Sequence, residues 1–451
     1  MKFGSRPWSA QAAVTGDSWG ETMVTIWRRS VVVALGLLLV APLVAAETVQ
    51  PQSVGLSPER LQRIHELVQR QIDAGGIAGA VTLVARNGQV AFLDAQGVMD
   101  LTSKQPMQTD SMFRIASMSK PVAAFAILML AEEGKVRLTD PVSKFIPSYA
   151  NLEVGVQKSP PLGTAAPPRP APPPGPGGPP PDFYKVPAAR EITVLDLLTH
   201  TSGLMSGPMG NAAGQAAFGK RHDIGLRWVE ELGSSPLEFQ PGTRWAYSAV
   251  AGFDVLSRIV EIASGQSFDR FLAGRIFAPL GMQDITFWPT AAQRARLATV
   301  YQRREGLLQP SANADSMSGD KYFSGAGGLM TTAETYAQFG MLLANGGELR
   351  GARLLSPRTV ELMGSAFIPA TLPGRPAGEG YGLGVRVITD DAARGTWLTT
   401  GSFGWSGAYG THFWVDPTQN LVGILLAQTS DRNFLSDFEN AVMQAVVELN
   451  D

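Results

Sequence analysis

The chain has 451 residues, of which 44% are hydrophobic, and a formal net charge of −2 at pH 7. A chain of this length and apolar content can bury a large core, and its balanced charge offers no basic stripe, so we expect no nucleic-acid partner. The absence of cysteine excludes disulfides and thiolate ligands, and the four histidines form no H-x-x-x-H or H-E-x-x-H group.

The N-terminal region carries a pattern typical of an export signal. Arg28-Arg29 precede the apolar run 31–44, and two alanines follow it at 45–46. A basic segment, a short apolar segment and small residues before a cleavage point are the features of a secretory signal peptide. We predict that residues 1–46 comprise an N-terminal extension and a signal peptide at Met23–Ala46, and that the mature protein is periplasmic or secreted, without stable membrane insertion. An uncleaved membrane anchor is the alternative.

The first elements after this segment are a helix and a hairpin. Ser57 and Pro58 are a helix cap and a first helical residue, and apolar residues recur at helical spacing after them. Two strand-like runs, 80–85 and 89–92, are joined by Asn87-Gly88, a strong signal for a two-residue hairpin turn.

A buried central helix is predicted next. Residues 121–130 are apolar on every face, and a helix of that kind must be surrounded by protein. Farther along, residues 159–181 form a proline- and glycine-rich tract without apolar periodicity, which predicts an extended, solvated loop. We interpret this tract as a surface insertion, with a protein-binding segment as the alternative.

Strand signals return near the C-terminus, after a mostly helical middle at 192–345. The four predicted strands and the last predicted helix are 381–388, 397–400, 411–415, 421–428 and 438–449. Strands at both ends predict an α+β fold: one antiparallel sheet built from both termini and flanked by helices, with an inserted, mostly helical domain.

The most informative motif is Ser117-Met118-Ser119-Lys120, just before the central helix. Residues three apart lie on one face of a helix, so the lysine amine can reach the serine hydroxyl and take its proton. The S-x-x-K acyl-enzymes use this spacing to activate their serine nucleophile. No G-x-S-x-G elbow occurs, which counts against an α/β-hydrolase.

Three further segments contain candidate functional residues. His200, the only histidine in a distinctive setting, is the candidate for a histidine base, with a loop-ordering hydrogen bond as the structural alternative. Tyr247, in a segment that follows Pro241-Gly242, is a candidate proton carrier, with a core tyrosine as the alternative. Residues 325–329 are glycine-rich, and we predict a tight turn and not a nucleotide-binding loop.

Taken in order, these motifs resemble the serine beta-lactamase-like superfamily, and most closely the branch of class C beta-lactamases, D-alanyl-D-alanine peptidases and family VIII carboxylesterases. The resemblance covers about residues 57–449. The motifs that carry it are Ser117-Met118-Ser119-Lys120, 198–204, Pro241-Gly242 with Tyr247-Ser248, Pro279-Leu280-Gly281-Met282, 325–329 and Tyr381-Gly382-Leu383-Gly384.

The resemblance implies a beta-lactamase/transpeptidase-like fold and assigns roles to three residues. Ser117 resembles the nucleophile, Lys120 its proton partner, and Tyr247 the general base or acid. Within a domain at 47–449, it implies an α/β part at about 57–115 and 345–449 and a helical part at about 116–344.

Two departures from the beta-lactamase pattern shift the expected substrate. Ala249 stands where a Tyr-x-Asn pattern would place an amide, and the third motif, usually Lys-Thr-Gly, reads Trp405-Ser406-Gly407. Ser402-Phe403-Gly404 is the other register, and neither contains a cation. A lysine there would contribute roughly 1.5–3 kcal/mol to binding a substrate carboxylate, whereas a tryptophan offers an apolar wall. A tryptophan at this motif also resembles family VIII esterases.

We therefore predict a serine hydrolase that cleaves small carboxylic esters without a metal or organic cofactor. The substrate-binding residues would be Trp405, Ser406, Gly407 and Ala408, with backbone N–H groups of Ser117 and Ala408 as the oxyanion hole. A beta-lactamase or D-alanyl-D-alanine carboxypeptidase is the first alternative, and a non-catalytic penicillin- or protein-binding relative is the second. Acyl transfer is not separated from hydrolysis, and the sequence leaves the oligomeric state open.

Overall fold

The computed structural model describes residues 48–158, 181–369 and 371–450, which belong to one unit, Ala46–Asp451. The predicted signal peptide and all but the last residue of the proline-rich tract 159–181 lie outside these ranges. Among the helices within them, none combines the length and the hydropathy that crossing a bilayer would require.

The longest strands lie near the two ends of the described chain, and several short strands lie between them. In chain order they are β1 Gly79–Arg86, β2 Gln89–Gly97, β3 Phe113–Arg114, β4 Glu153–Gln157, β5 Phe183–Pro187, β6 Ile285–Thr286, β7 Tyr301–Arg304, β8 Leu307–Pro310, β9 Met330–Thr331, β10 Glu348–Leu349, β11 Ala352–Arg353, β12 Glu379–Tyr381, β13 Arg386–Ile388, β14 Phe403–Ser406, β15 Thr411–Asp416 and β16 Leu421–Ala427.

The helices occupy the ends and most of the middle. They are α1 Pro58–Asp73, α2 Ser119–Glu132, α3 Val194–Leu198, α4 Pro208–Gly219, α5 Arg221–Ile224, α6 Ala251–Ser264, α7 Phe268–Leu272, α8 Ala278–Leu280, α9 Ala291–Arg294, α10 Ala333–Ala344, α11 Pro357–Met363, α12 Asp391–Arg394 and α13 Arg432–Met443. Short 3-10 helices include Pro51–Val54, Ala116–Met118, Val142–Lys144, Pro147–Tyr149 and Gly225–Ser234, and a π-helical turn covers Ala273–Phe277.

The main sheet has seven antiparallel strands in the order β12-β13-β14-β15-β16-β1-β2. The N-terminal hairpin adds to the C-terminal strand β16, with Val81 opposite Leu426. Asn87 (φ 54°) and Gly88 (φ 73°) both have positive φ, as the predicted two-residue turn requires. The sheet is therefore assembled from both termini, which confirms the predicted α+β architecture.

Side chains of the sheet alternate between two apolar layers, because successive residues of a strand face opposite sides. Phe413 packs in the larger core with α2 and α10, whereas its neighbour Trp414 packs in a second core with α1 and α13. Every residue from Ser119 to Leu130 in α2 is buried, which confirms the predicted central helix.

Three local predictions were wrong. The predicted strand 381–388 is two strands, β12 and β13, separated by a turn around Gly384, whose φ of 83° favours glycine. Residues 397–400 form no strand. The last helix begins six residues before the predicted start, because the Asp431 side chain caps it by accepting from the N–H groups of residues 433 and 434. It ends at Met443, where the chain turns back toward residues 55–57.

Candidate active site

Ser117 lies at the N-terminal entrance to α2, in the short 3-10 helix Ala116–Met118, and α2 begins at Ser119. Ala116 has a φ of 44°, which is unusual for a non-glycine residue, and it is buried. Such a conformation costs of order 1–3 kcal/mol and persists only where the surrounding structure enforces it. The strained residue turns the chain so that the half-buried Ser117 hydroxyl faces the amine of Lys120, with 3.2 Å between Oγ and Nζ.

Lys120 is completely buried, and its amine has three hydrogen-bond partners. Nζ lies 2.7 Å from the carbonyl oxygen of Ala249 and 2.8 Å from that of Ala326, in addition to Ser117 Oγ. Because the two carbonyls can only accept, they fix two of the amine hydrogens. The remaining position on Nζ faces Ser117, so it is there that a proton can be gained from or returned to the serine hydroxyl.

Asp254 holds the turn that supplies one of these carbonyls. Its buried carboxylate accepts hydrogen bonds from Tyr322 OH (2.6 Å), Ser324 Oγ (2.6 Å) and the N–H of Ala326 (3.3 Å), and from Trp228 Nε1 (3.1 Å). The glycine-rich segment 325–329 is thus a tight turn, as predicted, and its place is set by a carboxylate on α6. Sequence reasoning did not find Asp254, although an acidic residue in an otherwise apolar helix face was a signal for it.

Tyr247 brings a second hydrogen-bonding group to the serine. Its hydroxyl lies 2.8 Å from Ser117 Oγ, and the Lys120 amine lies 5.0 Å from the centre of its ring. His200 fixes the segment that carries this tyrosine: its Nδ1 accepts from the N–H of Ser248 (3.2 Å) and its carbonyl accepts from the N–H of Ala246 (3.1 Å). The loop-ordering interpretation of His200 is therefore confirmed. Burial, with a smaller contribution from the charge of Lys120, lowers the pKa of this histidine well below its usual value, so it is neutral.

The third motif ends β14 at the edge of the same site. The Trp405 ring lies 5.5 Å from the Tyr247 ring, centre to centre, and the next residue faces the other side of the sheet. There Ser406 Oγ lies 2.8 Å from His412 Nδ1, and His412 Nε2 lies 2.9 Å from Glu439 Oε1 on α13. The Ser406 side chain is thus turned away from Ser117, and it ties the strand to α13.

Gly407 and Ala408 follow the strand and lie beside the segment that leads to Ser117. A side chain at Gly407 would overlap the carbonyl oxygen of Ile115 and the hydroxyl of Thr411, so glycine lets the two segments approach closely. The Gly407 N–H donates to the backbone carbonyl of Thr411, at 2.7 Å. Ala408 is exposed, and its N–H donates to no carbonyl oxygen within the described ranges.

The geometry brings together a half-buried hydroxyl, a buried amine and a phenol, in a setting suited to nucleophilic acyl chemistry. Across the described ranges, no group of three or more His, Asp or Glu side chains is arranged to hold a metal ion.

Comparisons with known proteins agree with this arrangement. The family model described as beta-lactamase matches residues 64–448. Protein Rv1367c of Mycobacterium tuberculosis is 32% identical over 378 residues, which is 80% of this chain and 88% of the relative. Esterase EstB of Burkholderia gladioli is 27% identical over 89% of this chain and 99% of its own.

A solved structure, that of EstCE1, described as a hydrolase with promiscuous acyltransferase activity, superposes with a TM-score of 0.69 at 25% identity. The match covers 86% of this chain and 99% of the other. Together with the family match, this similarity establishes both the fold and the enzyme class. The chain belongs to the beta-lactamase family and is a serine hydrolase with the beta-lactamase fold.

Proposed function

We propose that this serine hydrolase cleaves carboxylic esters through an acyl-enzyme on Ser117. The observation that supports this best is the pair of contacts on Ser117 Oγ, 3.2 Å to Lys120 Nζ and 2.8 Å to Tyr247 OH. A serine hydroxyl becomes a nucleophile when an adjacent base takes its proton as it attacks, and both partners are within hydrogen-bond reach.

In the proposed acylation, Ser117 Oγ attacks the ester carbonyl carbon while its proton passes to Lys120. The backbone N–H groups of Ser117 and Ala408 would stabilise the oxyanion that forms. When the C–O bond to the alcohol breaks, Tyr247 gives its proton to the departing oxygen and regains one from Lys120. Water then attacks the acyl group by the same route in reverse, which releases the carboxylic acid and returns the proton to Ser117.

The case for esters over lactams or peptides rests on two positions that lack the cation and the side-chain amide of the beta-lactamase pattern. Trp405 and Ala249 provide neither a cation for a substrate carboxylate nor a side-chain amide for a substrate carbonyl. Trp405 instead places an aromatic surface beside Tyr247. The similarity to EstB of Burkholderia gladioli, an esterase, supports the same choice.

The test compares hydrolysis of p-nitrophenyl butyrate and nitrocefin by the wild type and by Ser117→Ala, with the exposed Ser103→Ala as a control. We expect ester turnover that falls by at least a thousandfold in Ser117→Ala and not in Ser103→Ala, since removal of a nucleophile leaves only residual catalysis. Ester turnover that persists in Ser117→Ala contradicts the proposal. Rapid nitrocefin cleavage would support a beta-lactamase instead.

We also propose that the protein is exported by the segment Met23–Ala46. The basic pair, the apolar run and the alanines before Glu47 support this proposal. Expression of the full chain in a Gram-negative host, followed by N-terminal sequencing of the periplasmic protein, should give Glu47 as the first residue. A full-length N-terminus in the membrane fraction would show an uncleaved anchor.

A further inference from the structure

A cluster of buried polar atoms without hydrogen-bond partners lies next to Tyr247. In the part of the chain that the structure describes, it comprises the side-chain nitrogens His200 Nε2, Trp245 Nε1, Arg375 Nε and Trp405 Nε1, and the hydroxyl of Tyr381. The Tyr381 ring is the centre of the cluster, with the rings of His200, Trp405 and Trp245 at 5.1, 5.2 and 5.8 Å from it. Because native proteins rarely leave buried polar groups unpaired, a concentration of them in one place indicates that something binds there.

The protonation of these groups shows what kind of atom they would bind. His200 is neutral and its Nδ1 accepts from Ser248, so its proton is on Nε2, which is a donor. Burial, with a smaller effect of Tyr247, raises the pKa of Tyr381 well above its ordinary value, so the phenol keeps its hydrogen. Indole and guanidinium nitrogens donate only. All the unpartnered groups therefore offer hydrogens, and the matching ligand atom is an acceptor.

The space available limits the ligand to a small group. One small cavity of about 30 Å³, above the roughly 10–15 Å³ that one ordered water needs, is lined by Trp245, Arg375, Tyr381 and Trp405. Its wall carries one acidic and two basic side chains. Glu379 pairs with Arg394 at 2.6 Å, Arg386 pairs with Glu439 at 2.8 Å, and the two terminal nitrogens of Arg375 donate to backbone carbonyls. A single acceptor oxygen in this space would meet several of the unpartnered donors at once.

We propose that this cavity is a specificity subsite that binds one acceptor oxygen of the ester substrate, such as an ether or carbonyl oxygen, outside the reacting ester group. The inference rests on the proposed ester hydrolysis at Ser117. Tyr247 connects the two places, because its hydroxyl contacts Ser117 and its ring contacts Trp405. Esters that carry such an oxygen are then better substrates than purely alkyl esters of the same shape.

Two pairs of isosteric esters distinguish the acyl side from the alcohol side of the substrate. p-Nitrophenyl methoxyacetate and p-nitrophenyl butyrate differ by one oxygen in the acyl chain, and 2-methoxyethyl butyrate and butyl butyrate differ by one oxygen in the alcohol. For each pair, the ratio of kcat/KM values is measured for the wild type and for Tyr381→Phe, which removes only the phenol oxygen. The intrinsic reactivity of each ester cancels in the comparison of enzymes.

We expect Tyr381→Phe to reduce the preference for the oxygen-containing ester by roughly threefold to tenfold in one pair, the effect of one lost hydrogen bond. The affected pair identifies the side of the substrate that enters the cavity. Trp245→Phe removes a second donor and should act on the same pair, while Tyr184→Phe, at an exposed tyrosine on β5, should act on neither.

Unchanged ratios in both pairs, for both Tyr381→Phe and Trp245→Phe, overturn the inference. A rise in the melting temperature of Tyr381→Phe with unchanged ratios would show that the cavity holds only water or nothing, and this outcome also overturns it. The two proposals fail separately: ester turnover that survives Ser117→Ala refutes the proposed function, whereas Ser117-dependent turnover with unchanged ratios refutes only the subsite.

Discussion

Replacement of Glu439 by glutamine tests whether the buried network behind the third motif stabilises the fold. Glu439 lies on α13, is 6% exposed, and accepts from His412 Nε2 (2.9 Å) and Arg386 Nη2 (2.8 Å). Burial alone would raise the pKa of this carboxyl, but the hydrogen bond and charge of His412, followed by the charge and hydrogen bond of Arg386, lower it from 4.5 to about 2. The carboxylate is therefore favoured by folding.

The size and pH range of the effect follow from that difference. A carboxyl with a pKa of 4.5 in the unfolded chain and about 2 in the folded chain contributes roughly 3 kcal/mol to the free energy of unfolding, at about 1.36 kcal/mol per pH unit. Because the folded pKa is the lower one, this contribution is fully present above pH 4.5 and is lost as the pH falls toward 2. About half of it should remain near pH 3.

The assay is urea unfolding of the wild type and Glu439→Gln between pH 2 and 7, with the exposed Glu66→Gln as a control. We expect Glu439→Gln to be roughly 3 kcal/mol less stable than the wild type at pH 7, with a difference that shrinks below pH 4.5. Glu66→Gln should follow the wild type throughout. A difference between Glu439→Gln and the wild type that is the same at pH 7 and pH 2 would refute the reasoning, since it would not come from ionisation of this carboxyl.

Three further substitutions follow from the packing. Asp254→Asn should lower the free energy of unfolding by roughly 2–4 kcal/mol, as measured by urea unfolding, because an amide cannot accept from all four donors. It should also reduce kcat for p-nitrophenyl butyrate, as measured by steady-state kinetics, because the turn that holds Lys120 would shift. Gly423→Ala should cost roughly 1–3 kcal/mol by thermal unfolding, since the added methyl would overlap the buried Trp414 ring. Arg86→Met should loosen the C-terminal residues 444–450 and speed their removal by carboxypeptidase, because Arg86 binds the Glu448 carbonyl and the Asn450 side chain.

Each of these has a contradicting result. Asp254→Asn with wild-type kcat would mean that the carboxylate does not place the turn. Gly274→Ala is the control for Gly423→Ala, since its added methyl would meet no atom within 4 Å, and equal melting temperatures for the two variants would contradict the overlap. Equal digestion of Arg86→Met and the wild type would show that the C-terminus is held by other contacts.

Local features of the fold could be predicted because their causes lie in neighbouring residues. Ser57 and Pro58 mark the start of α1, Asn87-Gly88 closes the β1–β2 hairpin, and the all-round apolar character of α2 shows its burial. Boundaries near the C-terminus were less predictable: α13 starts where Asp431 caps it, and that cap prevails over the apolar periodicity farther on.

The candidate site divides in the same way. The three-residue spacing of Ser117 and Lys120 is local, and helix geometry alone brings their side chains together. The contacts of Tyr247, Asp254 and Glu439 are not local, since Tyr247 reaches Ser117 across 130 residues of sequence. No period in the sequence encodes such an approach, because it depends on how helices and strands pack.

The sequence by itself therefore determined the pairing of serine with lysine, the central helix and the assembly of one sheet from both ends. Only the tertiary structure decided that the Ser406 side chain faces His412 and not the site, that Asp254 supports the carbonyl bound by Lys120, and that donors without partners surround Tyr381. The physical reason is the distance along the chain over which each feature is determined. Backbone geometry fixes the spacing of side chains along one helix or strand, whereas packing fixes which side chains of distant elements face each other.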